Sequence, residues 1–166
     1  MLSSTSLQEI DRAVAKYPSD QKQSAVMAAL AIAQRDKGWL SNDLMEYIAQ
    51  YLSMPPVAVY EVASFYSMYN LSPVGQFKLS ICTNLPCALQ GANHTAEALK
   101  NKLGIGFNQT TKDGSFTLKE AECMGSCGDA PVIIINDRKM VPNIKPENVE
   151  AFLQTLTAEK NDRGAL

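Results

Sequence analysis

Two short cysteine pairs constrain this chain more than any other feature. Cys82 and Cys87 form a C-x4-C pair and Cys123 and Cys127 a C-x3-C pair, 35 residues lie between them, and the 166-residue chain has no other cysteine. The even count is compatible with disulfides, but the context is against them. The N-terminal stretch MLSSTSLQEIDRAV lacks the apolar core of a secretory signal and carries Glu9 and Asp11, acids that a transit peptide avoids. A cytosol-like, reducing compartment is therefore expected, where structural disulfides are rare. A thioredoxin-type redox pair needs C-x-x-C, which sets the first thiolate at a helix N-terminus with its partner one turn on. Neither pair has that spacing. Two thiolate pairs on distant loops do suit an all-cysteine metal site, each loop gripping from one side.

Two metal centres compete for such a site. Structural zinc modules most often use C-x2-C knuckles and depend on the metal to fold, whereas this chain is apolar enough to fold without one. A [2Fe–2S] cluster takes two ligands per iron and suits wider loops. The spacing favours iron–sulfur and leaves zinc open, with a thiol–disulfide exchanger as a further alternative. A plant-type ferredoxin is excluded, because its third cysteine follows two residues after the C-x4-C pair. Around the second pair the sequence reads ECMGSCGDAP over 122–131. Gly125 and Gly128 remove Cβ atoms there, so the backbone can turn with positive φ and aim N–H groups at sulfur. Glu120, Glu122 and Asp129 lie close by, with no Lys or Arg between Ala121 and Asn136. That excess of negative charge is expected to disfavour an added electron, provided solvent does not screen it.

Composition removes several other classes. With 46% hydrophobic and 19% charged residues the chain should bury a core. A net charge of −2 without a basic block argues against nucleic acid, whose binding rests on clustered Lys and Arg. The longest apolar run, residues 25–33, is nine residues, less than half of the roughly 20 a spanning helix needs, so no direct membrane insertion is expected. The chain has no G-x-G-x-x-G, and Gly104-Ile105-Gly106 reads as a helix C-cap, so nucleotide cofactors must sit elsewhere. No nucleophile or general-base constellation is visible. The lone His94 reads as a surface or capping residue.

The hydrophobic pattern divides the chain into a helical N-terminal domain over 1–72 and an α/β domain over 73–166. Leu7, Ile10, Ala13 and Val14 share a helical face ending at Tyr17-Pro18. A second helix should open at Ser24 or an earlier polar residue and end near Gly38. Ser41 reads as the N-cap of a third helix and Pro55-Pro56 as the start of a fourth. Trp39, Phe65 and Tyr66 are expected in the core. The linker NLSPVG over 70–75 combines Ser, Pro and Gly. Beyond it Phe77, Leu79 and Ile81 alternate with Lys78, Ser80 and Cys82, a strand delivering Cys82 at its end. A helix over about 88–103 would put Cys87 at its N-terminus, where the dipole favours a thiolate. Three more strands follow: Phe116 to Glu122, Val132 to Ile135, and one after the Asn136–Lys139 turn. A last helix spans 147–156. Strands ending at both cysteine pairs could share one end of the sheet.

CTNLPC at 82–87 and ECMGSCGDAP at 122–131, supported by KLGI at 102–105 and the linker at Pro73–Gly75, carry a family resemblance over nearly the whole chain. It resembles the thioredoxin-like [2Fe–2S] subunits of the NADH dehydrogenase module of respiratory complex I, the E subunits of the bacterial enzyme. The residues from Ala158 onward look like an unshared tail. The resemblance implies a thioredoxin-like ferredoxin domain preceded by a small helical domain. It implies one [2Fe–2S] cluster on Cys82, Cys87, Cys123 and Cys127, carrying single electrons as part of NADH:quinone oxidoreductase. The expected partners are the flavoprotein that binds FMN and NADH and the other subunits of the peripheral arm, on the cytoplasmic side of the bacterial inner membrane. The N-terminal helices are the expected docking surface. The equivalent subunit of an NAD-linked hydrogenase or formate dehydrogenase would share these motifs.

Overall fold

Caps at the helix ends set the elements of the first unit, Met1–Pro73. A computed structural model describes residues 1–163, with side chains through residue 158. Ser3, in extended backbone, accepts the Ser6 N–H at the start of α1 (Ser4–Val14). A 3-10 turn over Lys22–Ala25 leads into α2 (Val26–Lys37), which begins two residues past Ser24 and ends on Gly38 in the left-handed region. Ser41 accepts the Leu44 N–H to cap α3 (Asn42–Leu52), and Pro56 occupies the first turn of α4 (Pro56–Phe65). Ile10, Leu30, Leu40, Ile48, Leu52 and Val59 close one apolar core between these helices.

The aromatic expectation fails in part. Phe65 is 80% exposed and Tyr66 is also exposed, while Trp39 is half-buried. Phe65 is the last residue of α4, whose buried positions are Val59 and Ala63. The aromatic that enters the core is Tyr69, whose hydroxyl donates to the Met27 carbonyl at 2.9 Å.

The second unit begins at Val74. Its order is β1 (Phe77–Cys82), α5 (Leu85–Leu89), α6 (Ala92–Leu103), β2 (Gln109–Thr110), β3 (Phe116–Ala121), β4 (Ile133–Ile135), β5 (Lys139–Val141) and α7 (Val149–Arg163). One sheet results, ordered β2-β3-β1-β4-β5, in which β1 and β3 are parallel and every other pair antiparallel. Phe77, Leu79, Ile81, Phe116, Leu118, Ile133 and Ile135 face Ala96 and Leu99 of α6 and Val149 and Leu156 of α7. The edge strand β2 has only two residues, too few for a period-2 signal, and the sequence reading missed it. The last helix is longer than expected and takes in the supposed tail as far as Arg163. Residues 164–166 of that tail lie outside the described residues.

Strand β1 forms where the alternation places it and ends on Cys82, and all six of its residues are buried, the polar ones included. It is the central strand. Lys78 is tolerated because its Nζ meets Asp137 Oδ2 at 2.5 Å. Asp137 reaches it from a tight turn in which Asn136 and Asp137 both have positive φ. The turn is tied to β1 by Lys78 N–H to Asn136 Oδ1 at 2.7 Å and Asn136 N–H to the Lys78 carbonyl at 2.9 Å.

Gly75 anchors the entry to this unit. Its N–H donates to Thr117 Oγ1 at 2.6 Å. A Cβ there would stand 2.8 Å from the Phe116 carbonyl carbon and 2.9 Å from its nitrogen. Both are backbone atoms of a paired strand, so neither can give way cheaply. Gly75→Ala should lower stability by about 1–3 kcal/mol, read as a lower urea midpoint with unchanged slope.

Candidate metal centre

The parallel pairing of β1 with β3 aligns Cys82 with Ala121, the last residue of each strand. Cys123 follows Ala121 by two residues, so both cysteine-bearing loops leave the sheet at the same end. The Thr83 N–H donates to the Ala121 carbonyl at 3.3 Å and the Cys82 N–H to the Val132 carbonyl at 3.2 Å, which joins the loops at their bases. Thr83 Oγ1 also donates to Glu120 Oε1 at 2.7 Å. Cys82 and Cys87 are fully buried with Ala92, and Met124 and Ala130 of the second loop pack against them. Cys127 is half-buried at the start of a 3-10 turn over Cys127–Asp129, and Cys123 is exposed.

The thiol of Cys87 sits at the meeting point. Burial pushes its pKa up to about 11, with further contributions from hydrogen bonding and charge at Cys82 and then from Cys127. The dipole expectation for Cys87 is therefore overturned. The helix expected from about 88 is broken at Gln90-Gly91, and Cys87 lies inside the five-residue α5 rather than at the start of α6. In that place burial outweighs the small dipole of a single turn.

The second loop shows one glycine effect and not the other. Gly125 has φ +74, and its N–H donates to Cys123 Sγ at 3.4 Å, as the expected N–H aimed at sulfur. Gly128 has no positive φ, and a Cβ there would meet nothing within 4 Å, so the close approach expected of it is absent. Ser126 Oγ donates to Asp129 Oδ2 at 3.0 Å. The Asn143 N–H reaches the Asp129 carbonyl at 2.8 Å and the Ile144 N–H the Pro131 carbonyl at 3.1 Å, pinning the loop from behind. His94 is exposed on α6, and Gly104 caps that helix as expected.

Cys87 thus adjoins both Cys82 and Cys127, and Cys123 lies in the same loop as Cys127. Among the described residues no three His, Cys, Asp or Glu side chains are grouped as ligands of one metal ion. The donor set, all sulfur, two from each loop, with an N–H already on one sulfur, fits a four-thiolate cluster.

The family model for thioredoxin-like [2Fe–2S] ferredoxins matches residues 10–157. This chain belongs to that family. The E subunit of the NADH-quinone oxidoreductase of Rickettsia typhi is 48% identical over 125 residues, covering 75% of this chain and 74% of that protein. The "NADH-quinone oxidoreductase subunit 2" of Thermus thermophilus is 38% identical over 151 residues, covering 91% of this chain and 83% of that protein. Among solved structures, an NAD+-reducing [NiFe]-hydrogenase chain superposes with TM-score 0.67 at 21% identity. That likeness covers 78% of this chain and 23% of the hydrogenase chain, and it shows a shared fold.

Two outcomes follow for reduced, metal-free protein. A thiol raised from 9.0 to about 11 holds about 100-fold less thiolate at neutral pH than an unperturbed one. Iodoacetamide should therefore label exposed Cys123 first and Cys87 last, as peptide mass spectrometry would show. Because the folded pKa lies above the unfolded one, the associated stability is present below pH 9 and lost as pH rises through about 11. The urea midpoint of this form should fall across that interval.

Proposed function

We propose that this chain is the one-electron carrier subunit of NADH-quinone oxidoreductase, respiratory complex I. In this reading Cys82, Cys87, Cys123 and Cys127 hold one [2Fe–2S] cluster close to the FMN of a partner flavoprotein. The observation that carries it is the shared sheet end, where parallel pairing of β1 and β3 brings both cysteine loops together. Membership of a [2Fe–2S] family and the names of the relatives at 48% and 38% identity support the cluster and the assembly.

A bound cluster would supply a centre that takes up and returns one electron while the protein's own bonds stay unchanged. The chain's residues do the rest. Buried Cys82 and Cys87, with Ala92, Met124 and Ala130 around them, keep water from the inner sulfurs. The Gly125 N–H donates to Cys123 Sγ, a hydrogen bond that stabilises negative charge on sulfur and so favours the reduced state. Glu120, Glu122 and Asp129 are all exposed, where solvent screens them. NADH and FMN fall to the flavoprotein, since this sequence has no glycine-rich phosphate cradle. No helix among the described residues is long and apolar enough to cross a membrane. Attachment to the cytoplasmic face of the inner membrane, through the complex, is part of the same proposal.

Anaerobically purified full-length protein tests the reading. Two irons and two sulfides per chain, with an EPR signal on one-electron reduction, are the expected result; colourless protein with one zinc would overturn it. Cys→Ser at any of the four positions should abolish or weaken the cluster absorbance while the far-ultraviolet helical signal persists. Neutralising the exposed pair Glu122 and Asp129 should move the midpoint potential by less than about 60 mV, a tenfold effect for a one-electron couple. Protein-film voltammetry would measure that shift.

A further inference from the structure

The two faces of the sheet carry different chemistry. Phe77, Leu79, Phe116 and Leu118 turn toward α6 and α7. The alternate positions Lys78, Ser80, Cys82, Thr117 and Lys119 therefore share the other face. The parallel register sets Lys119 beside Ser80 and Ala121 beside Cys82. Lys119 thus lies two residues, roughly 7 Å of strand, from the level of Cys82. Water is largely kept from this face, since Lys78 is 2% exposed and Ser80 and Thr117 are buried with it.

Two lysines and one carboxylate meet there. Lys78 is paired with Asp137, which cancels its charge at a distance. Lys119 is half-buried and makes no ion pair of its own among the described residues. Burial lowers its pKa, and Lys78 lowers it further, with Asp137 acting the other way. Its amino group therefore belongs to the same cluster, and from a lysine's ordinary value of about 10.4 the lowering leaves it a cation at neutral pH. The net charge of the cluster is that of Lys119. Glu120, its neighbour in β3, falls on the opposite face, where Thr83 Oγ1 donates to it. A cation in this setting is screened less than the exposed acids are.

We infer that Lys119 is the tuning residue of the redox centre, a half-buried cation on the Cys82 face of the sheet that favours the reduced cluster. The inference rests on the electron-carrier reading and adds to it the residue that sets the potential by its charge. One entering electron takes a four-thiolate cluster from a net charge of about −2 to about −3. A fixed cation nearby stabilises the more negative state, and no bond or proton has to move. The electron comes from the flavoprotein in the assembly and from the electrode in the test.

Protein-film voltammetry of full-length, cluster-loaded protein reads the effect. Lys119→Gln should disfavour reduction about threefold, a fall of about 30 mV at about 59 mV per tenfold for one electron. Lys119→Met, which keeps the length and bulk of the side chain, should show the same fall and gives the reading if Gln disturbs the sheet. Lys119→Arg should restore the wild-type potential. The fall should persist in about 1 M salt, where the screening length is about 3 Å. Lys112→Gln removes an equal charge from the exposed turn before β3, at the other end of the sheet from the cysteine loops, and should leave the potential unchanged. Wild-type potentials in both uncharged variants overturn the inference. So does a fall that Lys119→Arg or Lys112→Gln shares, or one that vanishes in high salt. In each of those cases the cluster is present and the electron-carrier reading stands. A wild-type chain that holds no reducible cluster overturns that reading and the tuning role with it.

Discussion

The parallel pairing of β1 with β3 is the constraint on which the cysteine arrangement depends. Each of these strands has six residues, a length of about 20 Å at the usual rise per residue. Antiparallel pairing would therefore leave the two cysteine pairs about 20 Å apart, at opposite ends of the sheet. Parallel pairing requires a crossover, and the α5–α6 segment provides it, covering one face as it returns. The loop carrying Cys87 is the start of that crossover. One stretch of chain thus makes the topology possible and delivers a thiol to the end where the other loop arrives. Both loops leave the carboxyl ends of parallel strands, the position at which α/β sheets generally build their sites.

Around that pairing the burial is graded. Cys82 and Cys87 are sealed, Cys127 is half-buried and Cys123 is open to solvent. At Cys87 burial and two neighbouring thiols favour the neutral form. A short helix cannot reverse this, because dipole effects are confined to a terminal turn and are small. Cys87 is thus protonated at rest in a metal-free site, and any metal that binds it must displace that proton. Acid pH opposes loading and neutral to alkaline pH assists it. A thiol held neutral is also a poor nucleophile, which weighs against free thiol–disulfide exchange as this chain's task.

Legibility in the sequence followed the range of the interactions. Ser41 as a cap, Pro56 in a first turn and Gly104 at a helix end are local matters, decided by a few neighbouring residues, and they were readable. The convergence of the two cysteine loops was readable too, because strands end where the pairs begin. What escaped depends on contacts far along the chain. Lys78 alternates with apolar residues along its strand, and nothing local shows that strands on both sides and Asp137, 59 residues away, enclose it. Phe65 looks like core, yet it ends a helix whose inward positions are Val59 and Ala63. Gly128 shares a motif with Gly125, but only Gly125 has the positive φ that asks for glycine. The break at Gln90-Gly91 moved Cys87 from the start of a long helix to the middle of a short one. The signal for it was Gly91 inside the expected helix, which takes the left-handed conformation between the two helices.

A redox centre has two opposed requirements, and the gradient of burial meets both. Sulfur donors need a dry, hydrogen-bonded setting to be held in place. A partner needs access to the same end of the molecule. In this chain the two demands fall on different residues of the same loops. Within α5, Cys87 faces in and Leu85 and Leu89 face out; within the second loop, Met124 packs inward against the buried thiols while Cys123 remains at the surface. The acids follow the same division. Because Glu120, Glu122 and Asp129 reach into water, their field is screened within about 10 Å at ordinary salt. Exposed carboxylates act weakly on buried groups, so the sulfurs answer first to their own burial and hydrogen bonds.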